Sequence, residues 1–280
     1  MQTVYLNGEY VPKKSAKISI FDRGLLFADA VYEVISVIGG QLIDMPRHAE
    51  RLERSLSELS ISARNDWTEI ATNLIQENHL DEGLIYLQVS RGIMEQRDYR
   101  WPTAEIEPTI FAFPQERELV ANRLAERGMR IITRPDLRWQ RCDIKTTQLL
   151  YASMMKMEAA AADVDDCWMT QGTMVTEGTS QNAHIISRDG VLVSHQLGHR
   201  ILPGVTRIEM LAQAEAMGLK IEERAFSIDE AKQAAEAFVS SSTLLIMPVV
   251  EIDGQMIGDG KPGHWTRMIR EHYIAGVHKA

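Results

Sequence analysis

Lys145 is the residue whose surroundings most invite chemistry. It lies in Arg138-Trp139-Gln140-Arg141-Cys142-Asp143-Ile144-Lys145-Thr146-Thr147. This stretch reads as a mixed apolar and polar strand that ends at the lysine and precedes a helix. Side chains at strand ends project into clefts. Partial desolvation, or the nearby cations Arg138 and Arg141, would lower the ammonium pKa and give the free amine a Schiff-base lysine needs. A lone lysine at a strand end is also ordinary surface, and this segment by itself favours that reading. A second segment is Val175-Thr176-Glu177-Gly178-Thr179-Ser180-Gln181-Asn182. Hydroxyl, amide and backbone N–H donors gather there after a strand, as in loops that hold a phosphate or carboxylate. Glu177 is the acid among these donors. A carboxylate beside a pyridine nitrogen keeps it protonated and strengthens its pull on electrons. A hairpin loop with a solvated glutamate explains the segment equally well.

Two further segments offer anion donors. Leu202-Pro203-Gly204-Val205-Thr206-Arg207 opens a helix whose free N–H groups and partial positive charge suit a phosphate, though Pro and Gly also mark any ordinary helix start. Ser240-Ser241-Ser242-Thr243 follows an apolar strand, and its hydroxyls could bind a phosphate or carboxylate or satisfy a turn. Arg51 is suited to bidentate phosphate contact, against a background in which most helix arginines are solvated. His48, on the same helix, reads as structural. Tyr32 and Glu33 fall on opposite faces of a strand, so at most one lines a given cleft; a packed tyrosine and a solvated glutamate is the simpler reading.

The elements that must position these residues are legible in outline. Val4 to Leu6 leads to the Asn7-Gly8 turn. Ala30 to Ile38 is a β-branched strand stopped by Gly39-Gly40, with Gln41 to Asp44 returning as its hairpin partner. Leu52, Leu56 and Leu59 recur at helical spacing after Pro46. Asp66 caps a second helix through Glu77. Leu84 to Ser90, Thr109 to Phe113 and Gly128 to Thr133 read as strands. Pro114 to Arg127 is polar and charged, a candidate linker. Later come a helix over Leu149 to Ala162, short strands, a helix over Val205 to Met217 closed by Gly218, and a last helix from about His264 to Tyr273. The layout predicts an α+β chain: residues 1–118 a small N-terminal domain, 119–126 a linker, and 127–280 a larger C-terminal domain carrying Lys145.

Composition excludes several classes. The chain has 280 residues and a formal net charge of -9, so non-specific nucleic-acid binding, which needs excess Lys and Arg, is not expected. Two cysteines, Cys142 and Cys167, form neither a metal spacing nor a disulfide framework, which suits a reducing cytoplasm. No metal site is expected. The N-terminus lacks a basic start followed by an apolar run, and no apolar run of about 18 residues suggests a membrane span.

Taken together, the segments resemble the class IV aminotransferases, the fold type IV enzymes of pyridoxal 5′-phosphate, and among them the D-amino-acid (D-alanine) transaminases. The resemblance covers nearly the whole chain: Asp22-Arg23-Gly24 with Phe27 to Val34, His48-x-x-Arg51-Leu52, Arg141 to Lys145, Thr176-Glu177-Gly178 with Ser180 and Asn182, and Leu202 to Arg207. It implies that Lys145 carries the cofactor as a Schiff base and shuttles the substrate proton. Glu177 would pair with the pyridine nitrogen. Thr179 and Ser180 would lie on the cofactor loop. Arg51, Val205, Thr206, Ser241 and Ser242 would hold the phosphate, and Tyr32 would line the substrate carboxylate site. It further implies ping-pong amino transfer between small amino acids and keto acids, and a homodimer. The D-amino-acid group carries an Arg-x-His pair for the substrate carboxylate. This chain has Arg97-Asp98-Tyr99-Arg100 there, in a tract about one residue longer, so Arg97 and Tyr99 are the expected carboxylate residues and Arg100 a substitute. Ser36 stands where some relatives have a basic residue. Branched-chain L-amino-acid and (R)-amine transaminases, aminodeoxychorismate lyases and non-catalytic cofactor-binding proteins remain the alternatives.

Overall fold

The computed structural model describes residues 2–277; residues 1 and 278–280, the outer ends of the two expected domains, lie outside the described residues. The chain divides into two compact units: residues 1–118 with 144–148, and residues 119–143 with 149–280.

The first unit is built on an antiparallel sheet. Its strands are β1 (Thr3–Leu6), β2 (Glu9–Pro12), β3 (Ala30–Ile38), β4 (Gln41–Leu42), β5 (Gly83–Ser90) and β6 (Thr109–Glu116), in the order β2-β1-β6-β5-β3-β4. A one-turn helix, α1 (Arg23–Phe27), is capped by the Asp22 carboxylate, which accepts from Gly24 N. Helix α2 (Met45–Glu58) packs on β3, and α3 (Trp67–Asn78), capped by Asp66, packs on β1 and β6. The leucine spacing predicted α2, and Leu52 and Leu56 are indeed buried. Each such side chain contributes about 2 kcal/mol by leaving water. Alternation along β3 turns Val31, Glu33 and Ile35 inward and leaves Tyr32 and Val34 half-buried.

The second unit holds α4 (Arg123–Arg127), β7 (Met129–Pro135), α5 (Leu150–Ala161), β8 (Asp166–Gln171), β9 (Met174–Gly178), β10 (Asn182–Ile186), β11 (Val191–Ser194), α6 (Val205–Ala216), β12 (Lys220–Glu223), α7 (Ile228–Gln233), β13 (Glu236–Ser241), β14 (Leu245–Ile252), β15 (Gln255–Met256) and α8 (His264–Val277). Its sheet runs β12-β11-β10-β13-β14-β7-β8-β9, with β15 on β14. The β11–β12, β14–β7 and β7–β8 pairs are parallel. Such pairs need crossovers, and α5 and α6 lie in the connections between β7 and β8 and between β11 and β12. The core gathers Met129, Ile131, Trp168, Ile185, Phe226 and Met247.

Three expectations are corrected. The linker expected over residues 119–126 is packed into the second unit: Leu119 is fully buried, the Arg270 guanidinium donates to the carbonyls of Leu119 and Val120, and Asn122 caps α4. The stretch leading to Lys145 is not a strand within the larger domain. Residues 144–148 belong to the first unit, where Tyr32 N donates to Lys145 O, Thr147 N to Ala30 O, and Thr146 bridges Val31. Glu33 is not solvated either. It is buried and ion-paired, since inward alternation put a carboxylate against α2 and only cationic partners make that tolerable.

Candidate active site

In the first unit, the backbone bonds just described fix Lys145 beside β3. Its backbone N–H also donates to Ser55 Oγ on α2 at 3.3 Å. The Lys145 ammonium stands over the Tyr32 ring, 4.2 Å from its centre, a cation–π arrangement. Tyr32 stacks in turn on Tyr86, with ring centres 5.4 Å apart. The lysine is therefore held from both sides by an aromatic wall and a short backbone ladder. The arginines that sequence placed near it as free cations have other partners: Arg138 binds Asp136 and Glu177, and Arg141 binds Asp143.

Arg51 lies behind β3. Its Nε and one terminal nitrogen grip Glu33 at 2.8 and 2.7 Å, and His48 Nδ1 reaches the same carboxylate at 2.7 Å. Burial alone would raise the Glu33 carboxyl, but Arg51 and His48 outweigh it and hold the carboxyl well below its usual range. Burial lowers His48, against the pull of Glu33. Two of the Arg51 donors are thus committed within the protein. His48 is structural, as the sequence suggested.

Arg97 and Tyr99 are brought together. The Arg97 guanidinium lies 4.8 Å from the Phe27 ring centre and 4.9 Å from that of Tyr99, and donates to the Tyr99 hydroxyl at 3.2 Å. Tyr99 is 77% exposed. Arg23 pins this tract by donating to Asp98 O at 2.7 Å, while its own charge is met by Asp29. Arg100 is exposed and pairs with the Asp98 carboxylate at 2.6 Å.

In the second unit, Glu177 is buried near the end of β9 and surrounded by donors. Arg138 reaches Oε1 at 2.6 Å, while Asn182 Nδ2 and Leu202 N each reach Oε2 at 3.0 Å. Burial raises the Glu177 carboxyl, and the Arg138 guanidinium opposes that rise. Three N–H donors facing one carboxyl are satisfied by its ionised form. Arg138 is held by Asp136 on its other edge at 2.8 Å, and Thr176 Oγ1 donates to Asp136 at 2.8 Å. Sequence reasoning missed Arg138 as the partner of Glu177 and Asp136 as the acid that holds Arg138; the available signal was the alternating acid and base at positions 136 and 138. Thr179 directs its hydroxyl to the buried Asp166 at 2.7 Å, and Gln181 binds the same carboxylate. Thr179 therefore anchors the loop through its hydroxyl, leaving its backbone for a ligand. Ser180 is exposed.

The phosphate donors expected on α6 fall in its first turn. Gly204 is its N-cap and supplies no side-chain bond to the first turn, whose Val205 and Thr206 are buried. An uncapped helix start with open N–H groups fits a phosphate. Ser241, the last residue of β13, and Ser242 after it are half-buried, with Ser241 Oγ accepting from Leu244 N at 3.2 Å. This donor set and the held Glu177 fit the phosphate and ring nitrogen of pyridoxal phosphate. Cys142 and Cys167 are free thiols, each pushed up to about 12 by burial, and so are unreactive at neutral pH.

Comparison with known proteins places the whole chain among relatives of one kind. The D-alanine aminotransferase of Staphylococcus aureus (strain N315) is 37% identical over 276 residues, covering 98% of this chain and 97% of that protein. The fold matches the branched-chain amino acid aminotransferase of Escherichia coli with a TM-score of 0.90 at 20% identity, covering 99% and 94% of the two chains. It matches the T.th. branched-chain enzyme complexed with N-(5′-phosphopyridoxyl)-L-glutamate with a TM-score of 0.88 at 22% identity, over 99% and 94%. These structures share the two-unit α+β architecture of fold type IV. The model of the amino-transferase class IV family matches residues 30–252, and this chain belongs to that family of enzymes.

Proposed function

We propose that the protein is a pyridoxal-phosphate-dependent D-amino-acid transaminase that moves an amino group between a small D-amino acid such as D-alanine and a 2-keto acid such as 2-oxoglutarate. The near full-length likeness to a D-alanine aminotransferase carries this reading. When bound, pyridoxal phosphate supplies an electron sink for the charge left on the substrate α-carbon. Lys145 Nζ would attach the cofactor, and as a free amine it would move the proton of the substrate α-carbon. Tyr32 orients that amine through its ring face. Glu177, held by Arg138, Asn182 and Leu202, keeps the ring nitrogen protonated. On the second unit, the N–H groups of Val205 and Thr206 and the hydroxyls of Ser241 and Ser242 would hold the phosphate, with Thr179 and Ser180 on the cofactor loop; the family resemblance gives Arg51 a phosphate role as well. Arg97 and Tyr99 receive the substrate carboxylate, Tyr99 donating a phenol proton where an imidazole would otherwise stand. Two half-reactions on one amine give ping-pong kinetics.

Purified protein should be yellow, and borohydride should fix the cofactor to the Lys145 peptide. D-alanine with 2-oxoglutarate should yield glutamate. Glutamate formed from L-leucine and not from D-alanine would replace this reading with the branched-chain one.

A further inference from the structure

His184 takes no part in the roles above, yet it is fully buried on β10, two residues beyond Asn182, with its ring 4.9 Å from the Phe238 ring. Its Nδ1 lies 3.1 Å from Ser194 Oγ and its Nε2 lies 2.8 Å from Ser240 Oγ. Arg207 Nε donates to Ser194 Oγ at 3.0 Å, and its terminal nitrogen reaches His195 O at 2.9 Å and the Glu223 carboxylate at 2.7 Å. Arginine only donates, so Ser194 Oγ is an acceptor there. We assign the Ser194 hydroxyl proton to His184 Nδ1, the ring nitrogen within reach of Ser194 Oγ. That places the imidazole proton on Nε2 and makes Ser240 Oγ the acceptor of the next bond. The Ser240 hydroxyl proton is thereby turned away from the histidine and free to donate onward. Burial and the Arg207 charge hold His184 neutral, well below its ordinary pKa, and only neutral imidazole can both accept and donate in this way.

Ser240 is paired directly with Asn182 in the β10–β13 register, so the two share one face of the sheet. On that face Asn182 Nδ2 holds Leu202 O at 2.9 Å, and a Cβ on Gly204, the N-cap of α6, would overlap Asn182 Oδ1. Ser240 therefore lies on the face that carries the open start of α6, in the strand that runs into Ser241 and Ser242.

We propose that His184 is a positioning residue for the phosphate cup: it passes the polarisation of Arg207 through Ser194 and aims the Ser240 hydroxyl proton at the bound phosphate. This rests on the phosphate role given to α6 and the serine turn. His184→Phe keeps a flat ring against Phe238 and removes both nitrogens; Ser240→Ala removes the terminal hydroxyl. The full chain, freed of cofactor, is titrated by absorbance with pyridoxal phosphate and with pyridoxal, which lacks the phosphate. The Kd for pyridoxal phosphate should rise about tenfold in each variant and no further in the double variant, with pyridoxal binding unchanged. Unchanged pyridoxal phosphate affinity in both single variants, equal weakening of pyridoxal, or effects that multiply in the double variant would overturn the proposal. Should His184→Phe fail to fold, Ser240→Ala alone decides by the same comparison of the two ligands. Wild-type protein that binds the two ligands equally would instead overturn the phosphate role itself.

Discussion

Glu33 and Glu177 are both buried carboxylates, and their surroundings give them different tasks. Glu33 is met by Arg51 and His48 from a single helix and holds that helix to the sheet. Glu177 is met by Arg138, an amide and a backbone N–H, which fixes its orientation without a second charged helix. Replacing Lys145 with Ala should remove turnover by about a thousandfold or more, and Glu177→Gln should slow it while leaving the cofactor bound; steady-state kinetics and the visible spectrum separate the two. Near-normal turnover in Lys145→Ala would contradict the assigned chemistry. Arg138→Leu leaves Asp136 and Glu177 unpaired in a buried setting, and should lower the unfolding free energy by about 3–5 kcal/mol, read from urea unfolding. Glu177 was visible in the sequence as the acid of a donor-rich loop. Arg138 was visible only as a cation near Lys145 in sequence, because what it bonds to lies 39 residues away.

The α2–β3 contact carries a pH dependence whose sign follows from its groups. The Glu33 carboxyl is lowered in the folded state, so it stabilises the fold above its unfolded pKa of about 4.3 and loses that contribution as pH falls toward its folded value. His48 is also lowered, so its contribution is complete above about pH 6.5 and declines below that. Both act in the same direction. Thermal melts should show Tm falling as pH drops from 7 to about 2, and Glu33→Gln should flatten the part of that fall below about pH 5. An equally steep fall in Glu33→Gln would show that other groups govern it. The start of α6 has a steric limit. Gly204 has an ordinary φ of -64°, so the absence of a side chain, not backbone freedom, is what the position requires. Gly204→Ala should displace Asn182, loosen Glu177 and weaken pyridoxal phosphate binding about tenfold by absorbance titration, matching the modest cost of overpacking.

At the scale of the whole molecule, each unit carries its own sheet and core, and among the described residues no helix is long and apolar enough to cross a membrane. The family resemblance implies a homodimer. Light scattering on the purified protein should give twice the 31.6 kDa chain mass; a monomer mass in an active preparation would overturn the homodimer expectation.

The sequence by itself pointed to the family and to most strands and helices, because motifs, turn residues, caps and hydrophobic spacing are local signals, and it nominated Lys145. Asp66, Gly190 and Gly218 act where local chemistry places them. Tertiary structure decided which unit owns Lys145. Residues 144–148 follow second-unit chain in sequence but bond to β3, and no local propensity encodes a backbone ladder to a strand more than a hundred residues earlier. It also decided that Glu33 is buried with Arg51 and His48, and that Arg138 belongs to Glu177. Alternation predicted that Tyr32 and Glu33 face opposite ways. It could not say which face meets a cationic helix, and that is a property of packing. Lys145 thus had a recognisable sequence context, while its neighbours Tyr32 and Ser55 came to it only through the fold.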